Sequence, residues 1–224
     1  MRRCDGFDPR LSLTKDLPGG QNHNLAPHGR PELERLHMTL TKLLVPTYKQ
    51  MLQGLSSWLR KAGEQVDDAD SLMAARLAPD MFPLSTQIRF ACLQAHEGVY
   101  RLQRERLPPA FAQLLDEGRE GGNRPGTIAE ALLRIDEALT VLASVQPNAM
   151  DAGANRQMAL ELPMGIAFDF VDGEQYARDW ALPQFYFHIM AAYAILRNQG
   201  IELGKADYVA HMFAYLRPGA DAEQ

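Results

Sequence analysis

The stretch Leu182-Pro183-Gln184-Phe185-Tyr186-Phe187-His188-Ile189-Met190-Ala191-Ala192-Tyr193-Ala194-Ile195-Leu196-Arg197 constrains the fold of this chain more than any other. It predicts a helix apolar on nearly every side, opened by a proline and closed near Gly200. A helix without a wet face belongs inside a molecule. One titratable imidazole, His188, and two phenols, Tyr186 and Tyr193, travel with it. Chemistry is therefore expected to gather around this element.

Three further helices are expected to surround it. From Thr39 or Thr41, either of which can cap free N–H groups, Leu44, Tyr48, Met51, Leu52, Leu55, Leu59 and Ala62 recur every three or four residues, as far as Gly63. Pro46 falls early enough in that helix for its missing N–H to cost little. A short helix is predicted over Ser71 to Leu77, capped by Asp70 or Ser71. After the rigid connector Pro79-Asp80-Met81-Phe82-Pro83, Leu84, Ile88, Ala91, Cys92, Ala95, Val99 and Leu102 share one face. Arg89, Arg101 and Arg104 on the other face predict that this helix borders solvent. Residues 107–125, rich in proline and glycine, read as a flexible connection with a helical turn at Phe111 to Leu115. Thr127-Ile128-Ala129-Glu130 fits a capping box, and Ile128, Leu132, Ile135, Leu139, Leu142 and Val145 follow at helical spacing.

From Gln157 the period drops to two. Met158, Leu160 and Leu162, then Ile166, Phe168 and Phe170, flank Pro163-Met164-Gly165 and predict a small β-hairpin. A short helix is expected near Glu174 and another over residues 206–215. The fold class that results is all-α, an antiparallel up-down four-helix bundle with a β-hairpin insertion. Residues 1–37 lack any apolar period and read as a disordered or loosely docked arm. Residues 38–216 form the bundle domain, and 217–224 a flexible tail.

Composition narrows the function classes. A net charge of -5 lacks the basic footprint of a nucleic-acid binder. No apolar run approaches the length of a membrane span, and the first 37 residues offer no secretion signal. Only Cys4 and Cys92 occur, without metal spacing, which points to a reducing cytoplasm with Cys92 as a small core residue. Phosphate-cradling loops, a G-x-S-x-G elbow, H-E-x-x-H and C-x-x-C are all absent. Phe185, Tyr186 and Phe187 lack the surrounding cations of a base-stacking platform.

Two strings carry a family resemblance: Arg76-Leu77-Ala78-Pro79-Asp80-Met81-Phe82-Pro83-Leu84 followed by Gln87, and Ala181-Leu182-Pro183-Gln184-Phe185-Tyr186-Phe187-His188. Ala192-Tyr193-Ala194-Ile195-Leu196-Arg197, Gly200 and Gly204-Lys205 complete them. With these, Met38 to about Ala214 resembles a bacterial family described only as a domain of unknown function, grouped with the DinB-like (YfiT-like) helical-bundle superfamily. The resemblance implies an up-down bundle, commonly a homodimer. The superfamily often holds a divalent metal on three histidines, one on the second helix and two on the last. His188 matches the first last-helix position, but Ala192 and Tyr193 stand where a second imidazole is needed. His96 is the remaining weak metal candidate, and Asp80 would have to fold over the bundle to add a carboxylate.

The candidate ligand-binding set is accordingly Asp80, Gln87, Tyr186, His188 and Tyr193. A buried imidazole needs a partner, and Tyr193, Asp80 or a backbone carbonyl are the ones expected for His188. Asp80 reads first as a cap for the helix beginning at Pro83, and Gln87 as either interior or exposed. His96 and Glu97, beside Gly98, read as surface residues. A non-catalytic binding or oligomer-forming module, with no bound cofactor and an unidentified small-molecule ligand, is the favoured reading. The alternative is a metal-dependent transferase or hydrolase centred on His188.

Overall fold

A computed structural model describes residues 38–162 and 165–217. The expected arm, the tail beyond Arg217 and the hairpin residues Pro163 and Met164 lie outside the described residues. Helix α1 (Leu40–Gln65) is capped by Thr39, whose side chain accepts from the Lys42 N–H at 3.4 Å. Thr41 ties this end down, donating from its N–H and hydroxyl to Asp151 at 2.9 and 2.8 Å. The stripe Leu44, Tyr48, Met51, Leu52, Leu55, Leu59 and Ala62 is buried as the period requires.

Helix α2 (Leu84–Gln103), α4 (Ile128–Ser144) and α6 (Leu182–Asn198) complete an antiparallel four-helix bundle with α1. A two-stranded antiparallel hairpin, β1 (Met158–Leu162) and β2 (Ile166–Phe170), pairs Met158 with Phe170 and Leu160 with Phe168. Its alternation turns Met158, Leu160 and Phe170 to the core. The Thr127 and Glu130 capping box forms at the start of α4. Asp70 sits in a 3-10 turn, Ala69–Ala74, where a helix to Leu77 is expected, and accepts the Ile128 N–H at 2.8 Å. It thus serves the N-terminus of α4 rather than its own turn.

The centre of the bundle is α2, not α6. Ser85, Thr86, Gln87, Arg89, Gln94, His96 and Glu97 are all buried along with the apolar face of α2, which corrects the expectation of a solvent border at Arg89 and of surface positions for His96 and Glu97; at the far end Arg101 is half-buried and Arg104 exposed, as expected. The reason lies in the segment read as a flexible connection. It folds as helix α3 (Pro109–Arg119) and a 3-10 turn, Glu120–Gly122, packed on α2. Thr86 and Ser85 hydroxyls donate to the Gly118 and Gly121 carbonyls at 2.8 and 3.0 Å. A Cβ on Gly118 would overlap the Phe90 ring, so glycine is what lets the two backbones approach. Arg134 of α4 grips Glu117 of α3 through both carboxylate oxygens, at 2.9 and 2.6 Å.

Conversely, α6 does have an outer face. Phe187 and Met190 are 56% and 49% exposed, in line with exposed Pro183 and Arg197. Its opposite face, with Phe185, His188, Ile189, Ala192, Ile195 and Leu196, is buried. The helix also begins earlier than its proline suggests. Helix α5 (Gly173–Tyr176), capped by Asp172, runs through a π turn, Ala177–Ala181, directly into α6. A π turn is a usual place for a helix to absorb an irregularity, here adjoining the missing N–H of Pro183. The far end closes with Gly200 at φ 86°, the Ile201 N–H reaching the Leu196 carbonyl at 3.1 Å.

Candidate functional site

His188 is held on the inner face of α6 against α2. Its Nδ1 lies 2.8 Å from Oε1 of Gln87, and both side chains are buried, at 6% and 1% exposure. The Gln87 amide nitrogen donates to the Phe82 carbonyl at 3.3 Å, which sets the amide orientation. An amide oxygen only accepts, so Nδ1 is the ring nitrogen that carries the proton. Nε2 then presents a lone pair. Nε2 makes no protein hydrogen bond among the described residues and is not one of the sealed, unpaired polar atoms. His188 lines a cavity of about 440 Å³.

That cavity lies between the α2 start, α3 and α6. Met81, Phe82, Phe90, Leu93, Leu115 and Phe187 supply apolar walls, and Asp80, Gln87, Gln94, Gln184 and His188 the polar groups. Aromatic rings frame the imidazole edge to face, Phe90 at 5.4 Å and Phe187 at 5.3 Å, with Phe82 against Phe90 at 5.6 Å. Burial lowers the His188 pKa to about 4, because the protonated ring would lose its hydration without gaining an anion. At neutral pH the ring is an uncharged acceptor.

Of the candidates, Asp80, Gln87 and His188 line one cavity; Tyr186 and Tyr193 do not. Tyr193 packs instead on Trp58 and Tyr208, at 5.3 and 5.5 Å, and Tyr186 on Phe185 at 5.8 Å. Each residue along a helix turns the side chain by some 100 degrees, so Tyr186, two residues before His188, and Tyr193, five after it, both lie off the face that His188 occupies. Asp80 is exposed at the rim and does not cap α2, which follows Pro83 without a side-chain cap. Gln87, not Tyr193, Asp80 or a carbonyl, is the His188 partner. Gln94, Gln184 and all the apolar wall residues lie outside the expected set. The signal for Gln94 was its place two turns after Gln87 on the same helix.

His96 is a separate matter. It does not line this cavity, and both its ring nitrogens are buried without a partner. Burial lowers its pKa, against a small opposing pull from Glu137. Among the described residues no three His, Cys, Asp or Glu side chains gather as a metal site would require. The one free imidazole nitrogen at the cavity and the isolated His96 do not fit a resident divalent ion. Cys92 is a buried free thiol whose pKa burial pushes up to about 12.

The model of the family described as Domain of unknown function (DUF1993) matches residues 40–209. The chain belongs to this family. It is also similar to a solved structure, a DinB family member protein from Shewanella denitrificans. The two share 32% identity over 76% of this chain and 91% of that one, with a TM-score of 0.59. No curated protein matches the chain. The DUF1993 match and the DinB-family neighbour agree with the bundle and hairpin above. No described helix is long and apolar enough to cross a membrane.

Proposed function

We propose that this DUF1993 chain is a non-catalytic binding module whose ligand enters the cavity between α2, α3 and α6. The observation that carries this reading is an uncharged His188, its Nε2 neither paired nor sealed, lining a mainly apolar cavity of about 440 Å³. Ligand sites are typically concave, mainly apolar and fitted with a few placed polar groups. Acid–base catalysis is served badly here, since a general base works best with a pKa near the operating pH and His188 sits at about 4. The metal-dependent transferase or hydrolase reading finds no ligand set among the described residues to support it. The buried free thiol of Cys92 suits a reducing cytoplasm.

Elemental analysis before and after chelation tests the reading. Metal content far below stoichiometric and an unchanged melting temperature are expected; stoichiometric zinc, nickel or iron would overturn it. Self-association as a homodimer is a second reading, favoured by the exposure of Phe187 and Met190 one turn apart, on the same helix as His188 and with Phe82 beside the cavity. Light scattering on the full chain tests it, with a dimer mass for the wild type and a monomer mass for Met190→Lys expected.

A further inference from the structure

The chemistry of the cavity says what kind of molecule it takes. Its lining contains no lysine or arginine, and its one charged residue is Asp80 at the rim. A carboxylate or phosphate would find no counter-charge, would face Asp80, and would lose its hydration among Phe82, Phe90, Leu93, Leu115 and Phe187. An anionic ligand is therefore disfavoured on three separate grounds.

The polar groups are of two complementary kinds. His188 offers an acceptor at Nε2, since its Nδ1 proton is committed to Gln87. Gln94, only 8% exposed, also lines the cavity; its Oε1 is sealed without a partner, while its amide nitrogen makes no protein hydrogen bond among the described residues and is not among the sealed atoms. No hydrogen bond among the described residues holds the Gln94 amide, so it is free to present its N–H to the cavity as a donor. A hydroxyl group answers both: its proton goes to an imidazole nitrogen, and its oxygen accepts from an amide N–H. A pure hydrocarbon satisfies neither, and an ammonium only donates.

Resting on the reading of this cavity as a ligand site, we infer that its ligand is an uncharged hydrophobic alcohol or phenol, with its hydroxyl against His188 Nε2 and Gln94 and its ring or chain among the phenylalanines. An aromatic body suits the walls further, because edge-to-face contacts already connect Phe82, Phe90, His188 and Phe187.

The test is an NMR titration of the isotope-labelled full chain at neutral pH with benzyl alcohol, toluene and benzoate. Benzyl alcohol should shift the amide signals of Phe187 and His188 and bind about tenfold more tightly than toluene, the effect of one well-made hydrogen bond. Benzoate should leave those signals in place. In Gln94→Leu, which keeps the side-chain bulk, the preference for the alcohol over toluene should shrink to about threefold or less. Toluene binding as tightly as benzyl alcohol, or benzoate binding at all, overturns the hydroxyl assignment and leaves the cavity a binding site. Silence from all three probes removes the cavity reading, and the assignment with it.

Discussion

Oε1 of Gln87 accepts the Nδ1 proton of His188 at 2.8 Å across 101 residues of sequence. This contact joins the start of α2 to the middle of α6 and decides which imidazole nitrogen faces the cavity. Removing it should do two things at once. In Gln87→Leu the Nδ1 proton is left buried without an acceptor, which costs about 1–3 kcal/mol. Urea denaturation should show that loss, and the free-acceptor state of Nε2 should no longer dominate. A stability within error of the wild type would mean that the contact is not made.

Stability should also respond to acid. His188 has a folded pKa of about 4, below its ordinary value of 6.5, so the unfolded chain binds the proton more readily than the folded one. The resulting stability is present in full above the ordinary value and is lost as pH falls toward the folded one. The loss for this residue amounts to about 3 kcal/mol by the bottom of that window. His96, whose pKa burial also lowers, adds in the same direction. Denaturation midpoints measured across the window should fall steadily, and His188→Phe should flatten the slope. An equal slope in that variant would remove His188 from the explanation.

Gly118 marks where α3 meets α2. A methyl group there would strike the Phe90 ring, which is also a cavity wall. Gly118→Ala should destabilise the protein by about 1–3 kcal/mol, as overpacking does. Thermal denaturation reads the effect directly. An unchanged melting temperature would show that α3 does not lie against α2 as described.

Much of this fold was legible in the sequence because apolar spacing and end signals agreed. The stripe from Leu44 to Ala62, the capping box at Thr127 and Glu130, and the alternation Met158, Leu160, Leu162 all led to the elements that form. His188 was legible as a buried imidazole, and Gln87 as a side chain able to turn inward. The hidden part was tertiary. Prolines and glycines between Leu107 and Pro125 look like a linker, yet Gly118 and Gly121 are what allow that segment to cover Ser85 and Thr86. Once covered, the polar face of α2 becomes interior, and no period could announce it. The outer face of α6 was hidden for the opposite reason: Phe187 and Met190 are apolar but exposed, so hydrophobicity alone placed them inside.

The protonation state of the His188 ring is the most direct measurement of all. Two-dimensional NMR of its ring nitrogens, followed from neutral pH downward, reports tautomer and pKa together. The expected spectrum is a neutral ring protonated at Nδ1, unchanged until the pH nears 4. A ring protonated at Nε2, or one that titrates near its ordinary value of 6.5, would contradict both the contact with Gln87 and the lone pair offered to the cavity.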